Sequence, residues 1–151
     1  MIVDCFKRDL RKTKVPEEWR WNEEPVRCVG YLKGGDVVSC LRLFKRTIEI
    51  SQKTKIDVFG IGGLWTVPEY RGQGLAKQCI RHVLMTTDVC SCAAIIAHGK
   101  RCEDSVFLHC GFDSLGPSPT KPGNQDIYIR YLTSMRIGED ANWKLIPDLH
   151  F

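Results

Sequence analysis

The chain is 151 residues long (17.2 kDa), with 43% hydrophobic and 26% charged residues. This composition is that of an ordinary globular protein and excludes collagen-like, fibrous and intrinsically disordered chains. The net charge of +4, from 22 basic and 18 acidic residues, is too mild to indicate a nucleic-acid-binding surface. The length predicts a single domain over residues 1–151 with one hydrophobic core.

No stretch approaches the roughly 20 apolar residues of a membrane span, and the charged N-terminus lacks the apolar block of a signal peptide. We therefore expect a cytoplasmic protein that does not act at a membrane. The eight cysteines are expected to be reduced, because disulfide frameworks are typical of secreted chains. They form no Cys-x-x-Cys pair, so no metal is expected; a zinc site remains an alternative at His98, Cys102, His109 and Cys110.

A short helix is predicted within the charged segment Phe6–Glu24, where two tryptophans either pack against the core or line a substrate site. Strands are predicted over Val26–Leu32, Val37–Phe44, Thr47–Ile50 and Ile56–Thr66. The first two are joined by a tight turn at Gly34-Gly35-Asp36, because paired glycines supply the positive φ of primed hairpin turns. Three glycines in the last strand (Gly60, Gly62 and Gly63) indicate a bend or bulge.

The second half of the chain alternates between helical and strand patterns. A helix is predicted from Gly74, because apolar residues recur there at helical spacing. A buried strand over Cys92–Ala97, a short helix over Asp104–Cys110, a proline-rich loop over Gly116–Gly123 and a final strand over Ile127–Leu132 follow. Antiparallel strands followed by a strand–helix–strand–helix–strand order predict a mixed α/β fold.

The segment Leu64–Ala76 is the most informative, because a glycine-containing turn there joins a buried strand to an amphipathic helix. The first amides of a helix have no partner within the helix, and the helix dipole adds partial positive charge at the same place. Gly72 and Gly74 remove side chains that would block a close approach, and Arg71 adds a formal charge. Either a phosphate or diphosphate binds there, or the turn is purely structural. It matches neither the Walker pattern nor the dinucleotide-binding pattern.

The residues Arg71-Gly72-Gln73-Gly74-Leu75-Ala76 match the Arg/Gln-x-x-Gly-x-Gly/Ala signature of the GNAT superfamily of N-acetyltransferases. The lead-in Leu64–Tyr70 and the later Gly111-Phe112 are also similar to that family. The resemblance covers about Val26 to Leu132. It implies a mostly antiparallel sheet that is flanked by helices and splayed at an acyl-CoA site.

The resemblance also implies acetyl-CoA as the co-substrate. The amides of six residues would hold its diphosphate, namely Arg71, Gly72, Gln73, Gly74, Leu75 and Ala76. The backbone of Leu64, Trp65 and Thr66 would pair with the pantetheine arm, and the thioester would lie in the splayed gap. A primary amine would attack the thioester directly, while a backbone amide near Thr66 stabilises the oxyanion.

One position departs from the family pattern. Phe107 occupies the place of the tyrosine that usually protonates the leaving thiolate, so His98, His109 and Ser105 are the candidates to replace it. Each histidine has a structural alternative, His98 at a strand end and His109 on a helix surface. The base is equally open, because Phe59–Trp65 contains no acid and Asp57 is at the far end of its strand. The C-terminal carboxylate of Phe151 and a cysteine nucleophile are further alternatives.

The acceptor is expected to be a primary amine of a small molecule, and an aminoglycoside, a polyamine and an amino sugar are not distinguished. The alternatives are a protein or peptide amine, or a catalytically idle acyl-CoA-binding domain, which Phe107 keeps open. Specificity is expected to come from Val15–Glu24, the loop Gly116–Gly123 and the C-terminal tail. Homodimerisation through the late strands is an alternative to a monomer.

Overall fold

The computed structural model describes residues 1–5, 25–51, 54–88, 90–118, 123–134 and 144–145. Within these ranges the strands are β1 (Ile2–Cys5), β2 (Arg27–Lys33), β3 (Asp36–Ser51), β4 (Thr54–Thr66), β5 (Ala94–Lys100), β6 (Asp113–Pro117), β7 (Gln125–Tyr131) and β8 (Lys144–Leu145). The α-helices are α1 (Leu75–Thr86) and α2 (Val106–His109), and a 3-10 turn covers Pro68–Tyr70. None of the helices in these ranges is long and apolar enough to cross a bilayer.

The strands form one sheet in the order β1-β2-β3-β4-β5-β7-β6, and β8 pairs with the distal end of β3. Every neighbouring pair is antiparallel except β4 and β5, which are parallel because α1 connects them as a crossover. The predicted mixed, mostly antiparallel α/β fold is confirmed.

The sheet opens at the end of the β4–β5 pair. Parallel pairing runs from Val58 opposite Ala94 to Ile61 opposite Ala97 and ends there. Beyond that point β4 continues to Thr66 along β3, whereas β5 continues to Lys100 along β7. Since each strand follows a different neighbour, a gap separates them, which is the splay that the resemblance implies.

Helix α1 lies on one face of the sheet because its apolar stripe repeats at helical spacing. The buried stripe residues Cys79, Ile80 and Val83 pack against Leu41 and Leu43 of β3. We call this the helix face. The alternate residues of the same strands, such as Ile48 and Ile96, form a second buried cluster on the opposite face.

Several element boundaries differ from the sequence prediction. The strand expected over Cys92–Ala97 spans Ala94–Lys100, because pairing with β7 carries its polar end into the sheet. Strand β6 was not expected, since its residues are mostly exposed and it overlaps the predicted loop Gly116–Gly123. The strands predicted over Val37–Phe44 and Thr47–Ile50 form one strand, and β1 and β8 were also missed. The helix predicted within Phe6–Glu24 lies outside the described residues.

Candidate active site

The turn before α1 is open and positively polarised. Gly72 and Gly74 have φ values of +74° and +73°, a left-handed conformation that glycine adopts without strain. Apart from the adjacent residues of the chain, no described atom lies within 4 Å of the position that a Cβ would take at either glycine. The first amides of α1 have no partner within the helix, because each would need a carbonyl four residues earlier. The turn therefore leaves room for an anion beside exposed donors.

A cleft of about 770 Å³ begins at this turn and extends toward the end of β4. It brings together every residue predicted to bind the co-substrate except Gln73, whose side-chain amide donates to the Glu69 carbonyl at 3.5 Å. The lining residues are Leu64, Trp65, Thr66, Tyr70, Arg71, Gly72, Gly74, Leu75, Ala76, Lys77, Asp104, Val106 and His109. The sequence analysis did not predict that Tyr70 and Lys77 line the cleft. Their positions close to the glycine turn in the sequence are the signal that could have revealed them.

Hydrogen bonds hold the end of β4 against its neighbours. The buried Ser39 hydroxyl donates to the Trp65 carbonyl at 3.1 Å and is hydrogen-bonded to Thr66 Oγ1 at 2.8 Å. Arg71 Nε donates to the Thr66 carbonyl at 3.1 Å. These contacts fix the last residues of β4 beside the glycine turn, so the strand edge and the helix N-terminus form one continuous wall.

Comparison of the sequence with family models identifies the family of this chain. Residues 1–89, more than half of the chain, match the family model of the acetyltransferase (GNAT) domain. The chain belongs to the GNAT acetyltransferase family. Its members are N-acetyltransferases whose acyl donor is acetyl-CoA, so acetyl-CoA is the co-substrate of this chain.

Solved GNAT structures share the fold at low sequence identity. The N-acetyltransferase YhbS from Escherichia coli, in complex with CoA, superposes with a TM-score of 0.64 at 17% identity, covering 88% of this chain and 81% of that one. NAA60 from Arabidopsis thaliana, in complex with acetyl-CoA, has a TM-score of 0.60 at 12% identity and covers 87% and 98%. The GCN5-related N-acetyltransferase from Kribbella flavida (24% identity, TM-score 0.49) matches 60% of this chain, which spans only 23% of its length. No curated protein matches the sequence.

The GNAT strand β4 contains a bulge where the gap opens. On β3 a single residue, Leu41, lies between Cys40 and Arg42, whereas two residues, Gly63 and Leu64, lie between their partners Gly62 and Trp65 on β4. Gly63 has a φ of +60°, as expected for the glycine of a bulge. The bend or bulge predicted from the glycines of this strand is therefore present.

Arg42 lies against this bulge and was missed by the sequence analysis. The residue is only 9% exposed, and its guanidinium occupies the space next to Gly63 Cα where a side chain would otherwise be. Burial lowers the pKa of Arg42, while the neighbouring Cys28 and Cys40 thiols act in the opposite direction. The signal that could have revealed it is a single arginine within the mostly apolar segment Val37–Phe44.

The three candidate catalytic side chains lie in different places. His98 belongs to β5 and alternates with Ala97 of the helix face, so it points to the opposite face of the sheet. There its Nε2 atom lies 3.5 Å from Ser118 Oγ. His109 lines the cleft, 4.0 Å from the carboxylate of Asp104. The Ser105 hydroxyl accepts from the Phe107 amide at 3.4 Å and thereby caps α2.

Phe107 is part of the core. It is 4% exposed, and its ring centroid lies 5.4 Å from that of Tyr128 and 5.5 Å from that of Phe112. The Tyr128 hydroxyl donates to the Lys100 carbonyl at 3.0 Å. The position at which the resemblance leads us to expect a tyrosine, Phe107, therefore has no hydroxyl group. The hydroxyl of Tyr128, whose ring stacks on Phe107, is already hydrogen-bonded to the backbone.

Other potentially reactive side chains of the described residues are held in ion pairs or buried, which disfavours a catalytic role. Lys45 Nζ lies 3.0 Å from Asp57, and the hydrogen bonds from Lys45 and then Thr47 lower the pKa of that carboxyl. Burial raises the pKa of Cys92 and of Cys110, which disfavours the thiolate that a nucleophile requires. Within the described ranges, no three His, Cys, Asp or Glu side chains come together as a metal site would need.

Proposed function

We propose that this protein transfers the acetyl group of acetyl-CoA directly to the primary amine of a small molecule. The main observation in support is the open glycine turn at the start of α1. One cleft runs from this turn toward the splayed gap. A protein or peptide amine is the second candidate acceptor. The free thiols among the described residues support a reducing, cytoplasmic location.

The donor would bind along the cleft. The amides of Arg71–Ala76 would hold the diphosphate, with positive charge from Arg71 and Lys77 nearby. The backbone of Leu64–Thr66 would pair with the pantetheine arm as an added strand does, because the pairing of β4 with β5 ends at Ile61 and leaves that edge of β4 without a strand among the described residues. This places the thioester in the gap between β4 and β5.

The amine would attack the thioester carbon, and a backbone amide near Thr66 would stabilise the oxyanion. The C–N bond would form as the C–S bond breaks; the neutral amine would lose one proton, and the released CoA thiolate would take one up. We assign the protonation of this thiolate to His98, positioned by Ser118, because His98 directly follows Ala97, the residue at which β5 separates from β4. Cleft residue His109 would instead contact the donor, and Ser105 would keep α2 in place.

Two measurements test the proposal. Calorimetric titration should show that the wild-type protein binds CoA, and an assay of CoA release should detect turnover with one member of a panel of aminoglycosides, polyamines, amino sugars and peptides. Binding without turnover on any amine would instead indicate a catalytically idle acyl-CoA-binding domain, for which Phe107 provides a structural reason. Absence of CoA binding would contradict the proposal outright.

The two histidines provide a matched pair of variants. His98→Asn should lower kcat by about 100-fold or more and remove the alkaline limb of the pH–rate profile, with little change in affinity for CoA. His109→Asn should weaken CoA binding with a much smaller effect on kcat. The opposite pattern would assign proton transfer to His109.

A further inference from the structure

The bulge in β4 lies at the point where the sheet opens. The last parallel pair, Ile61 and Ala97, is followed within two residues by Gly63. A bulge bends its strand and increases the local twist, so its conformation determines where the following residues, Leu64–Thr66, are placed. These are the residues whose backbone would pair with the donor.

The guanidinium of Arg42 lies directly against the bulge on the face opposite α1. A Cβ at Gly63 would lie 2.5 Å from Arg42 Nε and 2.8 Å from Cζ, and it would be in still closer contact with Nη2. The absence of a side chain at Gly63 thus lets a flat cation approach the backbone. On its other side, the guanidinium carbon lies 5.5 Å from the centre of the Phe44 ring.

We propose that Arg42 is a positioning residue, whose guanidinium holds the Gly63 bulge in the conformation that keeps Leu64–Thr66 turned away from β5 and available to the CoA thioester carrier. This inference rests on the proposed use of the gap for acetyl-CoA. Arginine suits the role because its group is planar and stays charged when buried, whereas lysine carries a compact charge on a flexible stem.

Arg46 provides the matched control. It lies on the same strand and face, its guanidinium carbon is 5.3 Å from the centre of the same Phe44 ring, and its strand partner Val58 precedes the gap. Arg42→Met and Arg46→Met should be compared by calorimetric titration with CoA, well below the melting temperature of each variant. Arg42→Met should bind CoA about tenfold more weakly, which is the loss expected from about one backbone hydrogen bond between the displaced β4 edge and the donor. Arg46→Met should stay within about twofold of the wild type.

A double-mutant cycle separates positioning from general core packing. Gly63→Ala should weaken CoA binding strongly in the wild-type background and less in the Arg42→Ala background, where the space beside Gly63 is free. If Arg42→Met does not fold, Arg42→Lys keeps the charge and serves in its place, with CoA binding at least threefold weaker than wild type.

Equal CoA affinity of the wild type and the folded Arg42 variants, or additive effects in the cycle, would overturn the inference. In that case the wild type still binds CoA, so the proposed function would stand. If the wild-type protein itself does not bind CoA, both the proposed function and the inference about Arg42 are overturned.

Discussion

Two nearly isosteric substitutions at Gly74 test the diphosphate site by charge alone. Asn and Asp are the residues that best tolerate the left-handed backbone after glycine, so both Gly74→Asn and Gly74→Asp should fold. At a φ of +73° each should lower the free energy of unfolding by about 1 kcal/mol. No described atom lies near the Cβ position, so neither side chain should clash with the protein.

The two variants differ by one negative charge beside the expected diphosphate. Because the turn is exposed, a water-like dielectric applies, and a unit charge about 5 Å away costs roughly 0.8 kcal/mol. Two phosphate charges then cost about 1.7 kcal/mol, so Gly74→Asp should bind CoA roughly 15- to 20-fold more weakly than Gly74→Asn.

Calorimetric titration with CoA at low and high salt measures this ratio. The Debye length shrinks from about 30 Å at 0.01 M to about 3 Å at 1 M, so the ratio should be about tenfold or more at 0.01 M salt and fall below about threefold at 1 M salt. Equal dissociation constants for the two variants at low salt would refute placement of the diphosphate at this turn. Gly74→Trp should abolish binding, because its ring fills the same space.

Three further predictions concern stability, each measured by chemical denaturation. Phe107→Ala should lower the free energy of unfolding by about 3–5 kcal/mol, because it leaves a cavity between Tyr128 and Phe112; a loss below about 1 kcal/mol would contradict the observed packing. Ser105→Ala should cost about 1 kcal/mol through loss of the cap on α2, and no measurable cost would contradict the capping role. Asp57 has a lowered pKa, so its stabilising effect is present above the usual pKa of 3.8 and is lost as the pH falls through the lower folded value. The difference between the wild type and Asp57→Asn should therefore be largest near neutral pH, amount to less than about 1 kcal/mol for this exposed pair, and close in acid; a difference that grows in acid would reverse the assignment.

The features that the sequence alone determined are local. The turn at Gly72 and Gly74, the start of α1, its buried stripe and the bulge glycine in β4 all follow from residue types within a few positions of one another. The family signature lies in the same short segment. Local backbone preferences and apolar periodicity act between residues that are close in sequence, so a single sequence is enough to predict these features.

The tertiary structure alone decided what depends on pairing between distant segments. The exposed strand β6 has little apolar alternation and becomes a strand only through β7. Pairing between β5 and β7 carries His98 into β5 and turns it away from the helix face. Arg42 and Gly63 are 21 positions apart, and only the register of β3 and β4 brings the guanidinium onto the bulge. Such contacts are fixed by strand register, since a shift of one residue would move every side chain to the other face of the sheet.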